Sequence, residues 1–206
     1  MKGYLYNLAT DKKSGFIVGL IKAVLFFLSL LYGVAVKMVS SYYLLRPRCL
    51  DCKVISVGNI TLGGTGKTVL VEYLARYLKR EGKKPAILTR GYKRDKEYAD
   101  YRRWGDEPFM LKAKLGDVPV IVNQDRIKGA RQAIDEYRAD TVILDDGFQQ
   151  WRIKKDLEIL TIDAGSGFGN LRLLPRGIMR EPLGSLRRAD IFVLTKVNLG
   201  EGRLSS

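Results

Sequence analysis

Residues 54–68 read Val-Ile-Ser-Val-Gly-Asn-Ile-Thr-Leu-Gly-Gly-Thr-Gly-Lys-Thr, an apolar run, a glycine-rich turn and a closing Gly66-Lys67-Thr68. An apolar run of this length forms a buried strand. The glycines let successive backbone N–H groups turn inward around an anion, and the helix that follows aims its positive end at the same point. The segment therefore predicts a phosphate-binding loop over Thr61, Leu62, Gly63, Gly64, Thr65, Gly66, Lys67 and Thr68. Lys67 reaches the β/γ-phosphates of a nucleoside triphosphate, and the Thr68 hydroxyl is available to Mg²⁺. The first glycine of G-x-x-x-x-G-K-[ST] would fall at position 61, where this chain has Thr61; the Gly63-Gly64 pair and the complete ending compensate. Residues 69–81 continue as a helix with apolar positions 70, 74, 75 and 78 on one face.

Strand and helix patterns alternate from there on. Strands are expected at Pro85–Thr89, Val118–Val122, Thr141–Asp145, Leu157–Asp163 and Ile191–Thr195, and helices at Asp106–Lys114 and Asp125–Arg138. Such alternation implies an α/β fold of the P-loop NTPase kind, a mostly parallel sheet with helices on both faces and ligands at the carboxyl ends of the strands. Thr141-Val-Ile-Leu-Asp145-Asp146 is the natural second half of a nucleotide site, because an apolar strand ending in Asp brings a carboxylate beside the loop, where it can hold Mg²⁺ directly or through water. Gly105-Asp106-Glu107-Pro108 has two readings. Asp106 caps a helix with Pro108 in its first turn, or it is a carboxylate at the mouth of the site that takes a proton from an attacking hydroxyl.

Residues 163–181 form a long loop rich in Gly and Arg, a length that in a compact domain usually serves function. Its Arg172, Arg176 and Arg180 are candidates for a substrate phosphate, against the alternative of a solvated basic loop. Thr195-Lys196-Val197-Asn198 is similar to the Lys-bearing turn by which some P-loop proteins hold the base.

Residues 16–36 are almost continuously apolar, with Lys22 the only charge. A helix of that length reaches roughly 30 Å, a hydrocarbon thickness, so membrane association is expected. On a helical wheel Gly15, Lys22, Ser29, Gly33 and Ser40 fall near one line, with Lys37 close by. This narrow stripe suits a helix lying in the interface or packed on its own domain, and leaves spanning and lying flat equally open. Basic residues flank both ends, so the positive-inside rule does not choose an orientation, and Arg46, Arg48 and Lys53 beyond the far end would meet anionic headgroups.

The formal charge of +14 calls for an acidic partner. The excess is spread along the chain and accompanies no RNA- or DNA-reading motif, so no nucleic-acid partner is expected. Cys49 and Cys52 stand alone in a chain without histidine, which excludes a four-ligand zinc site and leaves them incidental thiols.

Taken together, several stretches resemble the tetraacyldisaccharide 4′-kinase (lipid A 4′-kinase) family: Ser56 to Thr68, Thr89-Arg-Gly-Tyr-Lys-Arg94, Gly105-Asp-Glu-Pro108, Asp125-Arg-Ile-Lys-Gly129, Ile143-Leu-Asp-Asp-Gly-Phe-Gln149, Leu173 to Pro182 and Arg187-Arg-Ala-Asp190. They occur in the family's order from about residue 50 to residue 198, and Thr61 is also of the family's kind. The resemblance implies an enzyme on the cytoplasmic face of the inner membrane of a Gram-negative-type bacterium, with ATP and Mg²⁺ as cofactors. It would transfer the γ-phosphate of ATP to the 4′-hydroxyl of a tetraacylated glucosamine disaccharide 1-phosphate, an acylated lipid presented at a membrane surface.

The resemblance also assigns roles: Asp106 the catalytic carboxylate, Lys67 and Thr68 the loop lysine and the Mg²⁺-binding hydroxyl, Asp145 and Asp146 the Walker B pair. Glu181 is the acidic residue of the Arg-Glu-Pro motif and is counted with Thr68, Asp145 and Asp146 as a metal candidate. Two departures stand out. Gln150-Trp151-Arg152 replaces the usual His after Asp-Asp-Gly-Phe-Gln, and the family's C-terminal histidine, partner of the catalytic Asp, has no counterpart. The expected organisation is a membrane-associated helical segment over 1–48, a P-loop kinase domain over 49–199 and a linker at 200–206 toward a further C-terminal part. The rival reading is a membrane-anchored P-loop switch ATPase acting through a protein partner, which has no need of a base for a sugar hydroxyl.

Overall fold

The computed structural model describes residues 15–90 and 106–199, with the backbone alone at 106–109 and 199. Gly105, the side chain of Asp106 and the expected linker at 200–206 lie outside the described residues. In chain order the elements are α1 (Phe16–Leu45), β1 (Lys53–Gly58), α2 (Lys67–Arg80), β2 (Pro85–Thr89), α3 (Asp106–Leu115), β3 (Val120–Val122), α4 (Arg126–Tyr137), β4 (Thr141–Asp145), β5 (Leu157–Asp163), a 3-10 turn at Leu183–Arg188, and β6 (Ile191–Thr195).

The six strands form one sheet in the order β3-β2-β4-β1-β5-β6, with every pairing parallel. Parallel strands are buried on both faces, which is why β2 and β4 are buried at every position and carry unbroken apolar centres rather than an alternating pattern. Alternate residues nevertheless face opposite layers. Val57, Ile87 and Ile143 pack with Val71, Ala75, Leu111 and Leu115 of α2 and α3. Val54, Ala86, Leu88, Val142 and Leu144 pack with Ile127, Ala130 and Ala133 of α4. Helices thus cover both faces, as the alternation requires. β4 lies between β2 and β1, so the chain leaves β1 toward one side of the sheet and β4 toward the other. The crevice at that reversal is where open α/β sheets bind ligands.

Element edges differ from the sequence reading by two residues or fewer for strands and α2 to α4. β3 starts at Val120 rather than Val118 because the Val118 N–H turns back to the Leu115 carbonyl and closes the end of α3. In α4, Asp125 is the cap rather than the first helical residue, its carboxylate accepting from the N–H groups of Ile127 and Lys128.

The larger difference is α1, which continues through polar Ser40 and Ser41 to Leu45 and stops ahead of Pro47. Its buried residues are Ser29, Val36 and Ser40, so the stripe of small and polar residues packs inward while the apolar surface faces out. Phe16, Leu20, Phe27, Leu31, Met38 and Leu45 are all more than half exposed. The two buried hydroxyls are satisfied inside the helix, Ser29 by the Phe26 carbonyl at 2.7 Å and Ser40 by the Lys37 carbonyl at 3.2 Å. Gly33 lets Leu173 approach so closely that a Cβ there would lie 2.8 Å from its Cδ1.

Candidate functional site

β1 ends at Gly58 and the chain turns through Asn59 to Gly66 into α2. Gly66 has φ 73° and leads into the helix with no side chain among the described residues capping its N-terminus, so the first-turn N–H groups face the loop's concavity. A cavity of about 760 Å³ opens there. Gly63 to Thr68 line it, with Thr89 and Arg90 at the end of β2, Arg126 at the start of α4, Asp145 and Asp146 at the end of β4, Gln149, Gln150, Arg180 and Lys196. It lies at the carboxyl ends of the central strands because β1 and β4 are neighbours in register, with Val57 opposite Asp145. Thr61 is buried and pairs with Met179, so it forms the wall behind the loop. The exposed Leu62 is tied to the same segment through its N–H and the Ile178 carbonyl, 2.7 Å apart.

The loop is braced from β6. The Thr195 hydroxyl donates to the Thr65 carbonyl at 3.0 Å, and the Lys196 ammonium donates to the Gly64 carbonyl at 2.7 Å while pairing with Asp163 at 2.5 Å. Thr65 and Thr161 share a buried hydroxyl contact of 2.7 Å. These contacts use the Gly64 and Thr65 carbonyls and the Thr65 hydroxyl and take up no N–H of Gly63 to Gly66.

The anionic side of the cavity is Asp146, held at φ 56° just beyond β4. Lys67 lies 3.5 Å from its Oδ1, and Arg180 forks onto both oxygens at 2.8 and 2.9 Å. Burial alone would raise the Asp146 pKa, but the Arg180 hydrogen bonds and charge, with Lys67 behind them, hold it below the ordinary carboxylate range. Asn59 closes the cluster: fully buried, it accepts from Lys67 Nζ at 3.1 Å and from Arg180 through its side-chain oxygen, and donates to the Thr61 carbonyl at 2.9 Å.

Arg126 is buried and donates to the Asn123 and Asp145 carbonyls at 2.8 and 3.2 Å. Burial brings its pKa down to about 10 against the opposing pull of Asp145 and Asp146, and its Nε has no acceptor among the described residues. A buried guanidinium beside the loop has the right charge and shape for phosphate oxygens.

Thr68, Asp145 and Asp146 offer a hydroxyl and two carboxylates. These are hard oxygen donors that fit Mg²⁺ rather than a soft metal. Among the described residues no group of three or more His, Cys, Asp or Glu side chains assembles for a metal.

The structure thus brings the expected loop residues, Asp145, Asp146 and Arg180 together, and separates the rest. Arg172 stacks on the Phe26 ring of α1 at 5.0 Å, and the Arg176 carbonyl accepts from Asn170 at 3.2 Å; neither lines the cavity. Glu181 points the other way. It is completely buried, and its carboxylate accepts from Arg188 at 2.8 and 3.1 Å, Gln149 at 3.0 Å and Trp151 at 3.2 Å. The backbone of Asp106 opens α3. Asn59, Arg126 and Gln149 are members of the cluster that sequence reasoning passed over. All three lie in stretches that carry the family resemblance, Asn59 in Ser56 to Thr68, Arg126 in Asp125 to Gly129 and Gln149 in Ile143 to Gln149, but nothing local in those stretches assigns them a role.

The family model of tetraacyldisaccharide-1-P 4′-kinase matches residues 21–205. A tetraacyldisaccharide 4′-kinase of Halothermothrix orenii is 41% identical over 217 aligned residues, which take in 96% of this chain and 56% of the relative. One from Geobacter sulfurreducens is 38% identical over 214 residues, 97% of this chain and 61% of the relative. The crystal structure of LpxK from Aquifex aeolicus in complex with ATP superposes with a TM-score of 0.78 at 36% identity, over 87% of this chain and 60% of that one. The chain therefore spans a little over half the length of the relatives it matches.

Proposed function

The chain belongs to the tetraacyldisaccharide-1-P 4′-kinase family, and from that premise we propose that it carries the ATP site of a kinase that phosphorylates the 4′-hydroxyl of a tetraacylated glucosamine disaccharide 1-phosphate. The observation that carries this reading is the convergence of Lys67, Asp146, Arg126 and Arg180 on the cavity at the mouth of the loop. The loop's N–H groups and Lys67 bind the β/γ-phosphates, and Arg126 adds a second fixed cation; phosphoryl transfer asks mainly for such positioning and charge. Thr68, Asp145 and Asp146 would hold Mg²⁺, which when bound neutralises phosphate charge.

Asp106, at the start of α3, orients the sugar hydroxyl and takes its proton. The oxygen then bonds to the γ-phosphorus as the bond to the β–γ bridging oxygen breaks, and ADP leaves. The acceptor lies in a bilayer, and α1 suits that location. The helix runs about 45 Å at 1.5 Å per residue with a predominantly apolar outward face, interrupted by the exposed Lys37 and Ser41, and its inward face is anchored to the strap over 163–181. The enzyme works on the cytoplasmic face of the inner membrane.

The test is transfer of labelled γ-phosphate from ATP to the tetraacyl disaccharide 1-phosphate in detergent micelles. It should be run on this chain and on a longer chain of the relatives' length, with Lys67→Ala and Asp106→Ala alongside. Labelled lipid that vanishes in both variants is the expected result. Lys67-dependent ATP binding with no labelled lipid from either chain would refute the kinase.

A further inference from the structure

The nucleotide cavity contains an internal competitor for its own cation. Asp146 has two carboxylate oxygens, and Arg180 takes both with a parallel fork, Nη1 to Oδ2 at 2.9 Å and Nη2 to Oδ1 at 2.8 Å. Bidentate guanidinium–carboxylate pairs are the strongest and most directional of protein ion pairs, and this one is largely shielded, with side-chain exposures of 19% and 28%. A cation approaching Asp146 from the cavity meets oxygens already spoken for.

Arg180 is held in this position from several sides. Its N–H donates to the Ile60 carbonyl at 2.6 Å, tying the strap to the first residues of the turn that follows β1. Its carbonyl accepts from the Tyr32 hydroxyl of α1 at 2.9 Å. Nη2 also donates to the Asn59 carbonyl at 3.1 Å and to the Asn59 side-chain oxygen, the oxygen that Lys67 uses. Its Nε, however, is buried with no acceptor among the described residues. The guanidinium forgoes one hydrogen bond to keep its grip on Asp146, which lowers the cost of letting go.

We infer that Arg180 is a positioning residue that stands in for the divalent cation on Asp146. In the nucleotide-free chain it neutralises the carboxylate and keeps metal from binding alone. When nucleotide and metal enter together, the phosphates supply both the cation's remaining ligands and a new anion for the guanidinium, and Asp146 passes from Arg180 to the metal. Without phosphate, a strongly hydrated divalent ion would have to break a bidentate pair for a single carboxylate and would leave a part-buried guanidinium uncompensated. The inference rests on the reading of this cavity as a metal–nucleotide site and adds an order to its assembly.

The probe is Mn²⁺, titrated into the detergent-solubilised chain without nucleotide and followed by the paramagnetic resonance of the free ion. Arg180→Gln removes the charge and is expected to bind Mn²⁺ at least about tenfold more tightly than the parent. Arg180→Lys keeps a charge but cannot fork, so it should fall between, and it serves if the glutamine variant does not fold. Adding Asp146→Asn to Arg180→Gln should erase the gain. Adding ATP should shrink the difference between parent and variant, because the parent then releases Asp146 as well. A merely structural arginine would lower metal affinity when removed. Folded Arg180 variants with Mn²⁺ affinity equal to or below the parent's would overturn the inference, as would a gain that survives in the Asp146→Asn background. Loss of Lys67-dependent ATP binding in the parent would instead overturn the nucleotide reading beneath it.

Discussion

Replacing Glu181 separates two roles for the one carboxylate that the family motif counts among metal candidates and the structure buries. Oε1 accepts from Gln149, Trp151 and one Arg188 nitrogen, and Oε2 from the other Arg188 nitrogen at 2.8 Å. In Glu181→Gln the amide nitrogen is best placed at the Oε2 position, where it faces an Arg188 N–H donor to donor. One charge-assisted hydrogen bond is lost and the others weaken, for about 2–3 kcal/mol. Glu181→Ala leaves the guanidinium and two further N–H donors without their acceptor and opens a cavity, for about 3–5 kcal/mol. Glu181→Leu with Arg188→Met removes both charges and should recover a good part of that loss, because an apolar pair of similar volume does not need compensation. Urea unfolding of the four proteins gives the values, provided the slopes agree. A Glu181→Gln variant within about 0.5 kcal/mol of the parent, with Mg²⁺ dependence of nucleotide binding changed, would refute the reasoning and restore Glu181 as a metal ligand.

Three more outcomes are expected. Gly58→Ala places a Cβ 2.5 Å from both the backbone nitrogen and Cβ of buried Phe148, backbone-level atoms that cannot swing aside; it should cost about 1–3 kcal/mol or more in urea and displace the Asp145-Asp146 turn, seen as weaker ATP binding. Phe27→Ser with Leu31→Ser, on the outward face of α1, should cut partition onto phospholipid vesicles by more than about tenfold, each side chain being worth roughly 1.5–3 kcal/mol, and leave the melting temperature unchanged; equal partition would remove that face from any membrane contact. The Asp146 pKa is depressed in the folded chain, so its contribution is present above the unfolded value of about 3.9 and is lost as pH falls through the folded value. Melting temperature should therefore drop on acidification below about pH 4 in the parent, and Asp146→Asn should start lower at neutral pH and show a flatter acid limb.

The loop, the strands of the sheet and the Asp145-Asp146 turn were all legible in the order of residues. Each depends on neighbours within a few positions: glycines where the chain must turn through positive φ, apolar runs where a strand is buried on both faces, an acidic pair where a strand ends. Lys67 and Thr68 follow from the loop itself. The apolar run over 16–36 marks only part of α1, because the helix carries on through the less apolar residues up to Leu45, two residues short of Pro47.

Contacts between distant segments decided the rest. Arg172, Arg176 and Arg180 are indistinguishable as a spaced basic triplet, and what selects Arg180 is Asp146, 34 residues away, and Asn59, 121 residues away. Glu181 is adjacent to Arg180 but on the opposite side of the strap, so one residue of alternation sends it toward Arg188, whose guanidinium stacks on Phe148, instead of into the cavity. The stripe on α1 gave two possible packings, and the strap chose one by fitting Leu173 against Gly33 and Arg180 against Tyr32. Local periodicity determines which elements form and what turns they can make. Which charges meet is settled only when the sheet order brings separate strand ends to one crevice, because a Coulomb partner is chosen by distance in space and leaves no period in the sequence.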